Sequence, residues 1–137
     1  MLNDHLLIEE LRLAGKQELY ARLNALGDEA AELPAERVQE AVARHRHLIV
    51  LTHVPPFRES CWHEGKISSD DYLPHFSCRA VGDRLGEIMR AHPERAMTVL
   101  CGHTHGAGYV RILENLEVRT GGVVYGVPEL QEVLELG

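Results

Sequence analysis

Leu48-Ile49-Val50-Leu51-Thr52-His53-Val54-Pro55-Pro56 and Met97-Thr98-Val99-Leu100-Cys101-Gly102-His103-Thr104-His105-Gly106 follow one plan. Each is a short apolar run that passes at once into histidine, with proline or glycine at the exit. Leu48–Leu51 and Met97–Cys101 read as buried strands. Between them, Val81, Leu85, Ile88 and Met89 recur at helical spacing. Ser77 is placed to cap that helix, which runs to about His92 before Pro93. A helical crossover of this kind makes the two strands parallel. Both exits then lie at carboxyl ends of strands, where open α/β sheets collect their ligands.

Outward from this unit the pattern is helical before and stranded after. Residues 4–27 predict a helix, with Leu7, Leu11 and Ala14 on one face and Leu19, Leu23 and Leu26 on another. Asn3-Asp4-His5 reads as its cap, Gly15 as a possible break and Gly27 as its stop. Residues 28–34 read as a short acidic link. Pro34 then sits where a first helical turn accepts proline, opening a helix over 35–46 with Val38, Ala41, Val42 and His45 on one face. Beyond the Gly102–Gly108 turn, Tyr109–Leu113 and Leu116–Arg119 read as strands joined by Glu114-Asn115. Val123–Tyr125 suggests a third. Pro128 is expected to open a terminal helix, Glu129–Leu136. The organisation is one domain or domain fragment: a helical region 1–46, an α/β region 47–126 with a long loop 54–77, and a C-terminal helix in 127–137. The fold class is α/β, helices packed on a mixed sheet.

The histidines carry the chemistry. Alternate residues of an extended chain point to one side, so His103 and His105 are expected to aim at a common volume. Gly102, Gly106 and Gly108 are expected to let the backbone turn sharply beside a ligand. Pro55-Pro56 stiffens the exit that carries His53. Neutral imidazole suits Mn, Fe, Zn and Ni, and His53, His103 and His105 form the expected metal-ligand set.

Composition bounds the function. The 137 residues are 45% apolar and 26% charged, ordinary for a soluble domain. Lys and Arg number 14 against 21 Asp and Glu, a net charge of −7 that disfavours a broad nucleic-acid surface. A phosphorylated small molecule or protein remains compatible, because bound cations reverse the charge inside one pocket. Three cysteines make a poor disulfide framework and suit a reducing compartment. With no signal-like N-terminus and no long apolar run, the reading is cytoplasmic, with no membrane span.

The two strand exits resemble the last two signature blocks of the calcineurin-like metallophosphoesterases, a strand ending in a lone His before Pro and then Gly-His-x-His. Thr52-His53-Val54-Pro55-Pro56 matches the former, and Gly102-His103-Thr104-His105 matches the latter. Thr120–Gly126 is similar to the closing strands of that family. The resemblance covers roughly residues 47 to 126. It implies a β-sandwich flanked by helices, holding a pair of divalent cations about 3.5–4 Å apart that clamp phosphoryl oxygens during in-line hydrolysis. His53 and His103 would bind one metal and His105 the other. The family's opening blocks, Asp-x-His, Gly-Asp-x-x-Asp and Gly-Asn-His, do not occur here. The resemblance therefore implies a C-terminal half, weakly active or inactive alone, completed by an N-terminal half or by a homo-oligomer.

The 54–77 loop adds candidates for substrate contact. Arg58 can meet a phosphate bidentately. His63 and His75 can orient or protonate a leaving group. Trp62 and Phe76 are expected to pack the loop down. A competing reading takes Cys61, His63, His75 and Cys78 as a structural zinc set, making a non-catalytic interaction module.

Overall fold

The computed structural model describes Ile8 and residues 15–135. Its order is α1 (Lys16–Val42), β1 (His47–Leu51), a 3-10 turn (Arg58–Ser60), β2 (Trp62–His63), β3 (Lys66–Ile67), α2 (Leu73–Phe76), α3 (Arg79–Ala91), β4 (Ala96–Cys101), β5 (Gly108–Leu113) and β6 (Leu116–Thr120). Four strands form one sheet in the order β1-β4-β6-β5, and β2-β3 is a separate hairpin. β1, β4 and β6 are parallel, while β5 runs antiparallel to β6. The class is mixed α/β, as the periodicities indicate. Among the described residues, no helix is long and apolar enough to cross a membrane.

The core lies between one sheet face and the two long helices. β4 alternates strictly, burying Met97, Val99 and Cys101, and β6 buries Leu116, Val118 and Thr120. Val42 from α1 and Leu85 and Met89 from α3 close over them. Each such side chain, fully buried, contributes about 1.5–3 kcal/mol. Asn115, in the β5–β6 turn, donates from Nδ2 to Met89 O and His92 O, both at 3.0 Å. It thereby ties the β5–β6 turn to the end of α3, adding to the His92 and Arg95 amides that donate to the same carbonyls.

The opposite sheet face is open and carries a polar network. Glu117 accepts from Thr98 at 3.1 Å, Tyr109 at 3.1 Å, and Arg119 at 3.3 and 3.1 Å. Burial alone would raise this carboxyl, but those bonds outweigh it and hold Glu117 below the ordinary range. At the sheet margin, Leu51 is 78% exposed.

Four expectations need correction. The break over 28–34 is absent, because α1 runs unbroken for 27 residues through Pro34. Its buried stripe of Ala31, Val38 and Val42 spans the proline, so packing on α3 outweighs the missing hydrogen bond. Ser77 ends α2, and Cys78 stands at the head of α3. Residues 128–135 of the expected C-terminal helix are not helical, and Val123–Tyr125 contributes only a bridge, Val124 to Val127. Gln131 Oε1 accepts from Gly122 N at 3.2 Å and Glu132 meets Arg119, which holds this segment against the sheet end. Leu130 and Val133 stay exposed, so a helix here would have no core to face. The helix over 4–14 and its cap at Asn3-Asp4-His5 lie outside the described residues, Ile8 apart.

Candidate metal centre

β1 and β4 stay zipped up to their histidines. Thr52 N donates to Leu100 O at 3.0 Å, and Gly102 N donates back to His53 O at 3.1 Å. Past that point β1 turns away through Thr52 Oγ1, which donates to Val54 O at 2.9 Å. Pro55 and Pro56 are both fully buried. The two exits thus leave adjacent parallel strands side by side.

The Gly102–Gly106 segment is not the extended chain that the His-x-His spacing suggests. Thr104 N donates to Gly102 O at 2.8 Å, across a single residue, and the residue inside is His103 at φ 68°. That is the rare γ-turn with its centre at positive φ, a strained arrangement. His105 follows at φ 63°. The left-handed positions therefore fall on the two histidines and not on the flanking glycines. His tolerates this region better than most side chains, yet each occupancy costs about 1–3 kcal/mol. Gly106 and Gly108 have a different reason. A Cβ on Gly106 would lie 2.5 Å from Trp62 O, and one on Gly108 would lie 2.2 Å from the Trp62 ring. The hairpin packs directly on this loop. Thr104, between the histidines, is 2% exposed, and its hydroxyl has no hydrogen-bond partner among the described residues.

The rings of His53 and His103 converge. His103 Nδ1 is 3.1 Å from His53 Nε2, and His103 Nε2 is 3.2 Å from the carbonyl oxygen of His75. A carbonyl only accepts, so neutral His103 carries its proton on Nε2 and turns the Nδ1 lone pair towards His53. This is the arrangement of a metal-binding imidazole, whose second nitrogen is fixed by an outer carbonyl. Two imidazole nitrogens sharing one tetrahedral ion, each at 2.0–2.1 Å, stand about 3.3 Å apart. The observed spacing fits that donor pair. Phe76 closes one side, edge-on to His103 at 5.5 Å, and Tyr72 stacks on Phe76 at 5.8 Å.

His105 is not part of that pair. Its Nε2 is 3.3 Å from the Tyr125 hydroxyl, and the two rings meet edge-on at 4.9 Å. Among the described residues, no group of three or more His, Cys, Asp and Glu is disposed around one point. The structure thus joins His53 to His103 and places His105 with Tyr125, a residue given no role by sequence reasoning. Tyr-Gly at a turn was the available signal.

The loop candidates divide. His63 Nδ1 donates to Thr104 O at 3.0 Å, which keeps its ring beside the histidine turn. His75 contributes its carbonyl to His103 and is half-buried. Arg58 pairs with Asp70 at 2.6 Å on an exposed surface, a contact worth about 0–1 kcal/mol. The four members of the zinc set have separate partners. The Cys61 thiol lies on Phe57 O and Phe76 O, and burial pushes its pKa up to about 11. Cys78 lies 3.9 Å from Gly27 O. The Cys61 thiol, kept protonated and engaged with carbonyls, is not a prepared metal ligand. Cys101 is buried, 3.4 Å from Thr120 Oγ1.

A cleft of about 1040 Å³ lies between α1, the 56–80 segment and α3. None of His53, His103 and His105 lines it. Convergent donors and backbone strain, more than concavity, single out the histidine turn as the candidate site.

The strain gives a direct expectation. His105→Gly should stabilise the fold by about 1 kcal/mol, whereas His105→Ala should not, because alanine remains unfavourable at φ 63°. Urea denaturation of both variants measures this. A destabilised His105→Gly would show that the left-handed backbone is not strained. Set against known proteins, the chain matches no family model, no curated protein and no solved structure.

Proposed function

We propose that this chain supplies the C-terminal ligands of a metal-dependent phosphoester hydrolase, a phosphatase or phosphodiesterase of calcineurin-like type. The observation that carries the reading is the 3.1 Å approach of His53 Nε2 and His103 Nδ1 at the carboxyl ends of adjacent parallel strands. Strained backbone at both His103 and His105 supports it, since such strain persists where surroundings impose it for a purpose. The cofactors are two divalent cations, Mn, Fe, Zn or Ni, with His53 and His103 on one and His105 on the other. When bound, they supply Lewis-acid stabilisation of phosphoryl charge.

The chain's own residues bind, orient and exclude water. Pro55 and Pro56 fix the exit of His53. The His75 carbonyl holds the Nε2 proton of His103 and so keeps Nδ1 available. Phe76 shields one side of the pair. His63, tethered through Nδ1, retains Nε2 to hold or move a proton at a leaving group. Arg58 exchanges its weak pairing with Asp70 for the phosphate of a small-molecule or protein substrate. Among the described residues no carboxylate accompanies the histidine pair, so an N-terminal half or a second copy completes the site.

Calorimetric titration of Mn²⁺ or Zn²⁺ into the purified chain tests this reading. One weakly held ion per chain is expected, held more tightly when inorganic phosphate is present. Turnover of p-nitrophenyl phosphate by the chain alone should be negligible. Absence of ion binding would sink the metal centre, and robust turnover would refute the need for a second half.

A further inference from the structure

We propose that Tyr125 is the positioning residue for His105: its phenol oxygen accepts the Nε2 proton of that imidazole and leaves Nδ1 as the lone-pair nitrogen. The inference rests on the reading of His105 as a metal ligand.

Tyr125 is delivered by construction. Gly121 N donates to Cys101 O at 2.8 Å, and Val123 N donates to His105 O at 3.2 Å. The segment after β6 is therefore stitched first to the end of β4 and then to His105 itself. Next, Val127 N donates to Val124 O at 3.1 Å, closing a four-residue turn with Gly126 at φ 78°. Positive φ at the third position is the mark of a type II turn, and it fixes Tyr125 at the second. From there the ring reaches His105 edge-on at 4.9 Å, with the hydroxyl 3.3 Å from Nε2.

Packing does not explain this placement. Tyr125 is 81% exposed, so it buries little apolar surface. Its specific contact is with the imidazole. The other histidine of the turn shows the same logic. His103 gives Nε2 to a fixed oxygen, the His75 carbonyl, and keeps Nδ1 for its neighbour. With the Tyr125 phenol in the corresponding place, both imidazoles of the turn would be tethered through Nε2. Outer partners of this kind select the tautomer and orient the ring of a ligand.

The test combines nitrogen-15 NMR of the His105 ring with Zn²⁺ titration, on the chain and on Tyr125→Phe. The variant keeps the ring and removes only the oxygen. In the unaltered chain His105 should be protonated at Nε2. In Tyr125→Phe the two tautomers should mix, and the Zn²⁺ affinity read at the His105 ring, separate from the ion on His53 and His103, should fall about tenfold, the low end for loss of an outer partner. Melting temperature should not change, since the side chain is exposed. A His105 ring protonated at Nδ1 in the unaltered chain overturns the proposal. So does an unchanged tautomer and affinity in Tyr125→Phe, which would reduce the contact to edge-on ring packing. If neither protein binds Zn²⁺, the metal-centre reading fails, and the NMR arm still decides whether Tyr125 orients His105.

Discussion

His103→Ala should abolish divalent-cation binding by the chain, a loss exceeding the 10–100-fold typical when only an outer partner is removed. The substitution deletes one of the two converging nitrogens and leaves the His53 Nε2 and His75 O contacts unmade. Stability should fall as well, by about 1–2 kcal/mol, because alanine inherits φ 68° without the hydrogen bonds that hold histidine there. His103→Gly separates the two effects. Glycine adopts this φ freely, so the variant should be more stable than His103→Ala while binding no cation better. Calorimetric titration with Mn²⁺ or Zn²⁺, paired with urea denaturation, reads both. Cation binding retained in both variants would remove His103 from the centre.

The other large effect is on the scaffold. Gly82→Ala should destabilise the chain by about 3 kcal/mol, the upper range for overpacking a closed core. Helix propensity alone predicts the opposite sign, a gain of about 1 kcal/mol for replacing a helical glycine. Contact decides the matter. A Cβ on Gly82 would lie 2.0 Å from Pro56 O and 2.9 Å from Pro56 C. That backbone cannot yield, because Pro55 and Pro56 are fully buried and Cys78 N is bonded to Pro55 O at 3.0 Å. Helix α3 would have to lift off the exit of β1, disturbing His53. Gly86, four residues along the same helix, is the control. A Cβ there meets only the flexible Arg90 guanidinium, at 3.4 Å. Gly86→Ala should therefore be neutral or stabilising. Chemical denaturation of the two alanine variants tests the contrast, and equal midpoints would show that Pro56 does yield.

Much of this architecture was legible. β1 and β4 announced themselves as apolar runs, α3 by its four-residue spacing, and β5–β6 as two strands joined by Glu114-Asn115. The strand exits could therefore be placed, and with them His53 and His103. What could not be read depends on contacts between distant segments. The continuity of α1 through Pro34 follows from packing on α3, which no window around the proline contains. The glycines near the histidines looked like hinges, whereas two of them make room for Trp62 and the positive φ values fall on His103 and His105. The pairing of His105 with Tyr125 joins residues 20 apart through a turn whose type is set by Gly126. Pro128 suggested a helix over 129–136, but Leu130 and Val133 meet no complementary surface.

Trp62, the sole indole of the chain, leans on Gly108, and its own carbonyl receives the Gly106 amide at 3.1 Å. Its Nε1 is buried without a hydrogen-bond partner among the described residues. The chain therefore carries a native optical reporter in contact with the histidine turn. Any event that repositions residues 102–108 must alter the surroundings of one fluorophore, so its emission follows that loop without a label.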